Sequence, residues 1–566
     1  MSFEKRVKRG ENVYIYEVES YRKDGKVKQR YKGYLGVEKQ TPDGTVFYPA
    51  HNEILNRLIL TENVHLGDVA VLYQLAQELK IAETIDDFSM KGGGLPAGLQ
   101  LVLMAINHAI KPISLNQFAS WYDDTALPQI TGINSNKLNK DNLSSAMDGV
   151  CREIKNKDGE IIRVVDRTLD ICNNLMKIWQ NLYDIPIDAL YYDITSTYFE
   201  GAKCILAKLG YSRDKKIGKV QINIALVVTR EMAFPICFLV YTGNTNDQKT
   251  VKDILKVIQK EFKITDCTII WDRGMVSKTN IKRVDRSHQK IICGLKGSET
   301  EIKKILLSVD NENLKKPDNL IRDMDDESGI FASELITKLY GKKRKIVVYL
   351  NTQIQEEMSK KRQFKLRSAR VKLGKYRIKL ERGNYQELGP VVNHYKECVK
   401  GVSRFFKPTY DKNGKITFDW VEKKDKIEEA KELDGKFAIM STDLNMECKE
   451  IVDTYFEKND IERAFRFMKQ VTKLQPTRCW LENRVKVHVF ICYLAYLLSR
   501  VLEYKLRESG MKITSERALG ELGKIKKGLL IDKSTNNKIH KVANLSNIQK
   551  KILESLGLLG YINPES

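Results

Sequence analysis

Three carboxylates stand out in this chain by type and setting. Asp193 lies in Tyr191-Tyr192-Asp193-Ile194-Thr195, Asp272 in Ile270-Trp271-Asp272-Arg273-Gly274, and Glu462 in Ile461-Glu462-Arg463-Ala464-Phe465. The first two sit in or at the end of apolar runs that read as strands. An ionised carboxylate there is costly unless it is paired or bound to metal. Two adjacent strands carrying such aspartates set like charges side by side, and a divalent cation relieves the repulsion. Hard oxygen donors with no His or Cys beside them suit Mg2+ or Mn2+. Three carboxylates can hold two such ions, the arrangement that in-line displacement at a phosphodiester uses. Taken alone, either aspartate reads equally well as a strand-end residue bonding a loop amide.

The segment around Glu462 carries more polar chemistry. Tyr455, Lys458, Glu462 and Lys469 are spaced by three, four and seven residues. On one continuous helix they fall within about 60° of arc. Ile461, Ala464, Phe465 and Met468 occupy an adjoining apolar side suited to packing on a sheet. A carboxylate on that edge can bind metal, while Tyr455, Lys458 and Lys469 can grip phosphate oxygens. An ordinary amphipathic helix with a Glu/Lys surface stripe gives the same pattern. Arg273, directly after Asp272, suits either a phosphate or a carboxylate partner. Asp247 reads as a helix cap, with Asn244 in the same strand-to-helix turn. Ser212 and Asp214 read as turn residues.

The elements that must position these residues follow from periodicity. Strands are expected over 189–199, 219–228, 234–241, 267–272 and 291–295, with helices after 247 and after 272. Three strands joined by tight turns, then strand–helix–strand crossovers, describe an α/β sheet of mixed direction. Ahead of it, Val13–Tyr21 and Val27–Tyr34 flank Lys23-Asp24-Gly25-Lys26, a hairpin signal. Residues 66–185 show helical spacing, with Gly92-Gly93-Gly94-Leu95-Pro96 as a break. Residues 300–435 are rich in charge and short strands. One more strand follows Gly435, then helices from about 448 to 506. The last 60 residues read as basic and mostly helical.

The 566 residues carry 96 Lys and Arg against 73 Asp and Glu, a net charge of +23. Such an excess favours polyanions as partners. Hydrophobic content of 42% with 30% charged residues describes a folded, soluble chain of several domains. No run of about 18 apolar residues marks a membrane span, and Met1-Ser2-Phe3-Glu4-Lys5-Arg6 has no signal-peptide apolar region. Ten cysteines occur singly and seven histidines lack zinc spacing, so no zinc or disulfide framework is expected.

Tyr455-Phe456-Glu457-Lys458, continuing through Glu462 to Lys469, follows the pattern Tyr-x2-Arg-x3-Glu-x6-Lys with Lys at the Arg position. Tyr191-Tyr192-Asp193-Ile194-Thr195-Ser196-Thr197, Gly210-Tyr211-Ser212-Arg213-Asp214, Gly243-Asn244-Thr245-Asn246-Asp247 and Asp272-Arg273-Gly274-Met275 accompany it. In these stretches the chain resembles the DDE transposases of bacterial insertion sequences that carry the YREK signature. The similarity covers roughly 186–300 and 435–480, and more loosely the segments before them. Lys458 keeps the charge of the family's arginine but not its bidentate fork.

The resemblance implies an RNase H-like mixed α/β sheet flanked by helices and interrupted by a β-rich insertion. It implies an N-terminal β-hairpin region over 1–65 and a helical DNA-binding region over 66–185. The core would occupy 186–300 and 436–500, the insertion 301–435, and a basic helical region 501–566. Asp193, Asp272 and Glu462 would hold two Mg2+ ions about 4 Å apart, with Mn2+ able to substitute. Tyr455, Lys458, Lys469 and Arg273 would lie against DNA, and no covalent protein–DNA intermediate would form. Members of the family bind the inverted-repeat ends of transposon double-stranded DNA, cut there, and join the freed ends to target DNA. A homodimer or larger synaptic complex on DNA is implied, with no membrane, in the bacterial cytoplasm at the nucleoid. Some relatives hold a flipped base with an aromatic residue of the insertion, and Trp420 reads either so or as a core residue. An inactive transposase-derived DNA-binding protein and another RNase H-like nuclease are the alternatives.

Overall fold

The computed structural model describes residues 2–563 apart from 24, 42–43, 51–57, 91–93, 159, 201–203, 325–327, 384–385, 412–415, 476, 478 and 534–535. Asp24 of the expected turn and Gly92-Gly93 of the expected break lie outside the described residues. The chain divides into two compact units, residues 87–90 with 150–497 and residues 1–86 with 91–149 and 498–566.

The larger unit is built on a nine-stranded mixed sheet. Its strands are β1 (Ala189–Tyr198), β2 (Gln221–Thr229), β3 (Pro235–Thr242), β4 (Thr268–Trp271), β5 (Lys290–Gly294), β6 (Leu320–Asp323), β7 (Gly329–Leu339), β8 (Lys342–Asn351) and β9 (Lys436–Ser441). Their spatial order is β3-β2-β1-β4-β5-β9-β8-β7-β6. β2 runs antiparallel to both β1 and β3, while β4 is parallel to both β1 and β5. The first five strands therefore form the RNase H-like core expected from the sequence. β-Branched and aromatic residues fill β1 and β2, and nearly all are buried, as strands covered on both faces require.

Two helices cross between the parallel strands, α1 (Asp247–Lys256) and α2 (Lys278–Ser287). After β9 come α4 (Cys448–Phe456), α5 (Asn459–Gln470) and α6 (Glu482–Glu508); α3 (Thr352–Arg382) lies earlier, in the insertion. α5 buries Ile461, Ala464, Phe465, Phe467 and Met468 and packs over β1 and β2. Burying each of the larger side chains favours this docking by roughly 2 kcal/mol.

The insertion expected to be β-rich holds more than strands. β6 to β8 extend the main sheet beside β9, because β8 finds its partner in a strand that returns more than 80 residues later. The 31-residue helix α3 then packs Leu366, Leu373, Tyr376 and Leu380 against Val391, Phe405 and Phe418, a separate apolar core. Trp420, on the hairpin Phe406–Asp411/Thr417–Glu422, packs against that core. It lies 5.9 Å from the Phe418 ring, with Arg377 over it at 5.5 Å.

Strands also interrupt the span read as helical. Cys151–Lys155 pairs with Ile161–Asp166, a hairpin ahead of the helix Thr168–Tyr183. In the smaller unit the N-terminal hairpin is part of a four-stranded antiparallel sheet over Ser2–Pro49. Leu58–His65 pairs instead with Lys526–Asp532, which also pairs with Lys538–Val542. The tail expected to be helical thus supplies two strands, whose short lysine-rich sequences show no clear alternation. α6 is long and apolar enough to cross a membrane, yet 83% of its most apolar window is buried inside the protein. It is a core helix by packing. The ten cysteines are free thiols, most of them buried, as small core residues.

Candidate active site

The parallel register sets the two aspartates at one level. Trp271 of β4 stands opposite Tyr192 of β1, so the next residue, Asp272, leaves the sheet beside Asp193. Their environments push them apart chemically. Burial drives the Asp193 carboxyl up from 3.8 to about 6, with the neighbouring Asp272 charge adding to the rise; the Ile194 N–H, Lys458 and Arg213 oppose it. Burial also acts on Asp272, but the Lys458 ammonium, the Arg273 N–H and the Arg273 charge outweigh it and hold this carboxyl below its ordinary value. Neighbouring carboxyls separated in this way can take different protonation states near neutral pH.

Lys458 is the hub of the polar cluster. Its Nζ lies 3.1 Å from Asp272 Oδ1, and the Tyr455 hydroxyl donates to the same oxygen at 3.4 Å. The ammonium also stands 5.1 Å from the centre of the Tyr455 ring. Tyr455 itself closes over β5. A Cβ on Gly294 would meet its hydroxyl oxygen at 2.3 Å, so only glycine allows this approach.

Tyr455, Lys458, Glu462 and Lys469 do not share one continuous helix. α4 ends at Phe456, a turn holds Glu457 and Lys458, and α5 begins at Asn459. The junction is pinned from the sheet. The Tyr191 hydroxyl donates to the Thr454 carbonyl at 3.1 Å and to Glu457 Oε2 at 3.3 Å, and Arg230 Nε donates to Glu457 Oε2 at 2.8 Å. Tyr455 thus reaches the site from α4, and Lys458 from the turn.

Glu462 stands exposed on the first turn of α5. Among the described residues no hydrogen bond or ion pair ties it to Asp193 or Asp272, and no group of three or more His, Cys, Asp or Glu side chains gathers to hold a metal ion. Lys469 faces Asp214, with its Nζ 2.8 Å from both carboxylate oxygens. Burial pushes its ammonium below the usual value, against the pull of Asp214. Arg273 is exposed and makes no ion pair among the described residues.

Several residues read as simple turn formers are wired into this region. The cap of α1 is Asn246, whose Oδ1 accepts from the Gln248 N–H at 3.0 Å; Asp247 instead accepts from Arg213 Nη2 at 2.5 Å. Asp214 holds Lys469 rather than merely shaping its turn. Ser212 does shape it, accepting from the Lys216 N–H at 3.0 Å. Gly210 and Gly243 pack backbone to backbone, since a Cβ on Gly210 would lie 2.0 Å from the Gly243 carbonyl oxygen. Glu457 and Arg230 were not legible as site residues, while Tyr191, Arg213 and Asp214 stood in the stretches that carry the family resemblance without a role of their own. The one available signal was the repeated placement of charge at strand-to-turn junctions.

The donor set suits a divalent cation. Asp193 and Asp272 offer hard oxygens at one level of the sheet, with no softer ligand beside them. Lys458 sets a balancing charge beside Asp272. These residues can therefore bind a cation, orient a phosphate and hold or release a proton at Asp193.

The model of the transposase DDE domain family matches residues 192–498. No curated relative matches the sequence. Among solved structures the chain is similar to the Mos1 transposase paired-end complex with left transposon end, at 10% identity and a TM-score of 0.14. That match covers 36% of this chain and 60% of the other, less than two thirds of its length.

Proposed function

This chain belongs to the transposase DDE domain family, and from that premise we propose that it is a DNA transposase. In this reading it binds the inverted-repeat ends of a transposon, cleaves them, and joins the freed strands to target DNA. It belongs with the bacterial insertion-sequence members bearing the YREK signature, with Lys458 in place of the arginine. The observation that carries the reading is the coupled pair Asp193 and Asp272, held at one level by adjacent parallel strands and balanced by Lys458.

Mg2+, or Mn2+ in its place, would be held as two ions by Asp193, Asp272 and Glu462, and would supply Lewis-acid activation of the attacking oxygen and charge relief at the leaving oxygen. Burial holds the Asp193 carboxyl up at about 6, and once deprotonated it would be a full ligand. Lys458 holds Asp272 in place and offers its ammonium to a phosphate oxygen as the site fills. Tyr455 orients Asp272 through its hydroxyl. Glu462, exposed on the first turn of α5, is the third carboxylate.

The basic charge of the chain supports DNA as the partner. The N-terminal residues 1–65 and the helices of 66–185 are proposed to recognise the transposon end. Bringing two ends together calls for at least a dimer on DNA, and the setting is the bacterial cytoplasm at the nucleoid. The test is incubation of the purified chain with the DNA flanking its reading frame. Strand cleavage at the ends that needs Mg2+ and stops with a chelator supports the reading. Binding without cleavage at any Mg2+ or Mn2+ concentration contradicts it.

A further inference from the structure

The connection between β1 and β2 presents apolar side chains to solvent. Tyr211 is 84% exposed and Ile217 is 95% exposed. Lys215, Lys216 and Lys219 are exposed around them. Neither Tyr211 nor Ile217 serves the core, so folding does not account for them. A single exposed apolar residue needs no explanation, but this pair rides on a segment held in place.

Four contacts hold it. Arg213 Nη2 donates to Asp247 Oδ1 at 2.5 Å, and Lys469 grips both Asp214 oxygens at 2.8 Å. The Arg213 N–H donates to Ser196 Oγ on β1 at 3.0 Å, and Gln221 Nε2 on β2 donates to the Tyr211 carbonyl at 2.9 Å. The partners are informative. Ser196 lies three residues after Asp193 on the same strand, and Lys469 is on the helix of Glu462. Arg213 is also among the charges acting on Asp193. The tip is thus braced against the elements that carry the candidate catalytic carboxylates.

A braced tip with an aromatic ring, a branched aliphatic chain and three ammonium groups matches the chemistry of nucleic acid. Every base has a π-face that an aromatic ring can stack on, whatever the sequence. Lysines take the flanking phosphates. We propose that Tyr211 and Ile217 form a wedge that stacks on a base next to the scissile phosphate, with Lys215, Lys216 and Lys219 on the adjoining backbone. The wedge rests on the transposase reading and adds a residue-level contact to it.

The test uses the full chain and duplexes of the DNA end flanking the reading frame, with 2-aminopurine placed in turn at positions around the cut. One position is expected to change its fluorescence on binding to the unsubstituted chain and to Tyr211→Phe. Tyr211→Ala is expected to lose that change and to bind about tenfold more weakly, and Ile217→Ala to weaken both. Tyr211→Ala with unaltered fluorescence and affinity overturns the wedge. A chain that cuts the DNA yet alters no 2-aminopurine position overturns the wedge alone. Alanine variants that lose self-association but keep the fluorescence change assign the surface to a second copy of the chain and likewise overturn it. A chain that neither binds nor cuts the DNA overturns the transposase reading together with the wedge.

Discussion

Lys458 Nζ lies 3.1 Å from Asp272 Oδ1, so a cation of the protein itself already neutralises one of the two coupled aspartates. A bound metal ion must share or displace that contact. Lys458→Met removes the competitor and leaves Asp193 and Asp272 to repel each other. The pair is partly exposed, at 14% and 44% for its two side chains, so the effect is modest. Mn2+ is expected to bind Lys458→Met about threefold more tightly by calorimetric titration, while strand cleavage falls. Equal Mn2+ affinity in the two proteins would show that the lysine does not guard the carboxylates.

Gly294 and Tyr455 form a second tight relationship. Adding a methyl group in Gly294→Ala drives it into the Tyr455 hydroxyl. The expected cost is about 1–3 kcal/mol of stability, with cleavage reduced because Tyr455 and Lys458 leave Asp272 together. Tyr455→Phe removes the clashing oxygen and should restore part of the stability of the alanine variant. Thermal unfolding of the two single variants and the double variant checks this, and additive losses would refute the contact.

Asp193 gives the metal-free protein an unusual pH dependence. Its folded value, about 6, exceeds the ordinary 3.8, so the folded state binds the extra proton between those values. Its contribution to stability is therefore present at the acid side and lost as pH rises through about 6. Asp193→Asn should abolish that slope and stabilise the chelator-treated protein above pH 6 by about 1–2 kcal/mol. Urea melts across this pH range would detect it. An unchanged slope would mean that Asp193 is not held in a costly setting.

The sheet and its two aspartates were legible because both lie in short buried strands whose composition leaves little alternative. Their adjacency followed from ordinary crossover geometry. The break between α4 and α5 was not legible, since apolar periodicity runs on through Glu457 and Lys458. What stops the helix is Tyr191 and Arg230, more than 220 residues earlier, which seize Glu457. The Arg213–Asp247 and Lys469–Asp214 pairs are invisible for the same reason, with partners 34 and 255 residues apart. The charged insertion hid a different feature. Nothing local distinguishes a strand pairing with its own hairpin from one that also extends the main sheet, as β8 does beside β9.

Asp193, Asp272 and Glu462 are proposed to act together as the metal-holding carboxylates of a strand-cleaving site. The most direct measurement is cleavage of the flanking DNA end in Mg2+ by Asp193→Ala, Asp272→Ala and Glu462→Ala, with DNA affinity measured on the same preparations. Each variant is expected to bind the DNA as the unsubstituted chain does and to cut it at least about a thousandfold more slowly. Cleavage by Asp272→Ala at the unsubstituted rate, with the DNA bound normally, would contradict the claim.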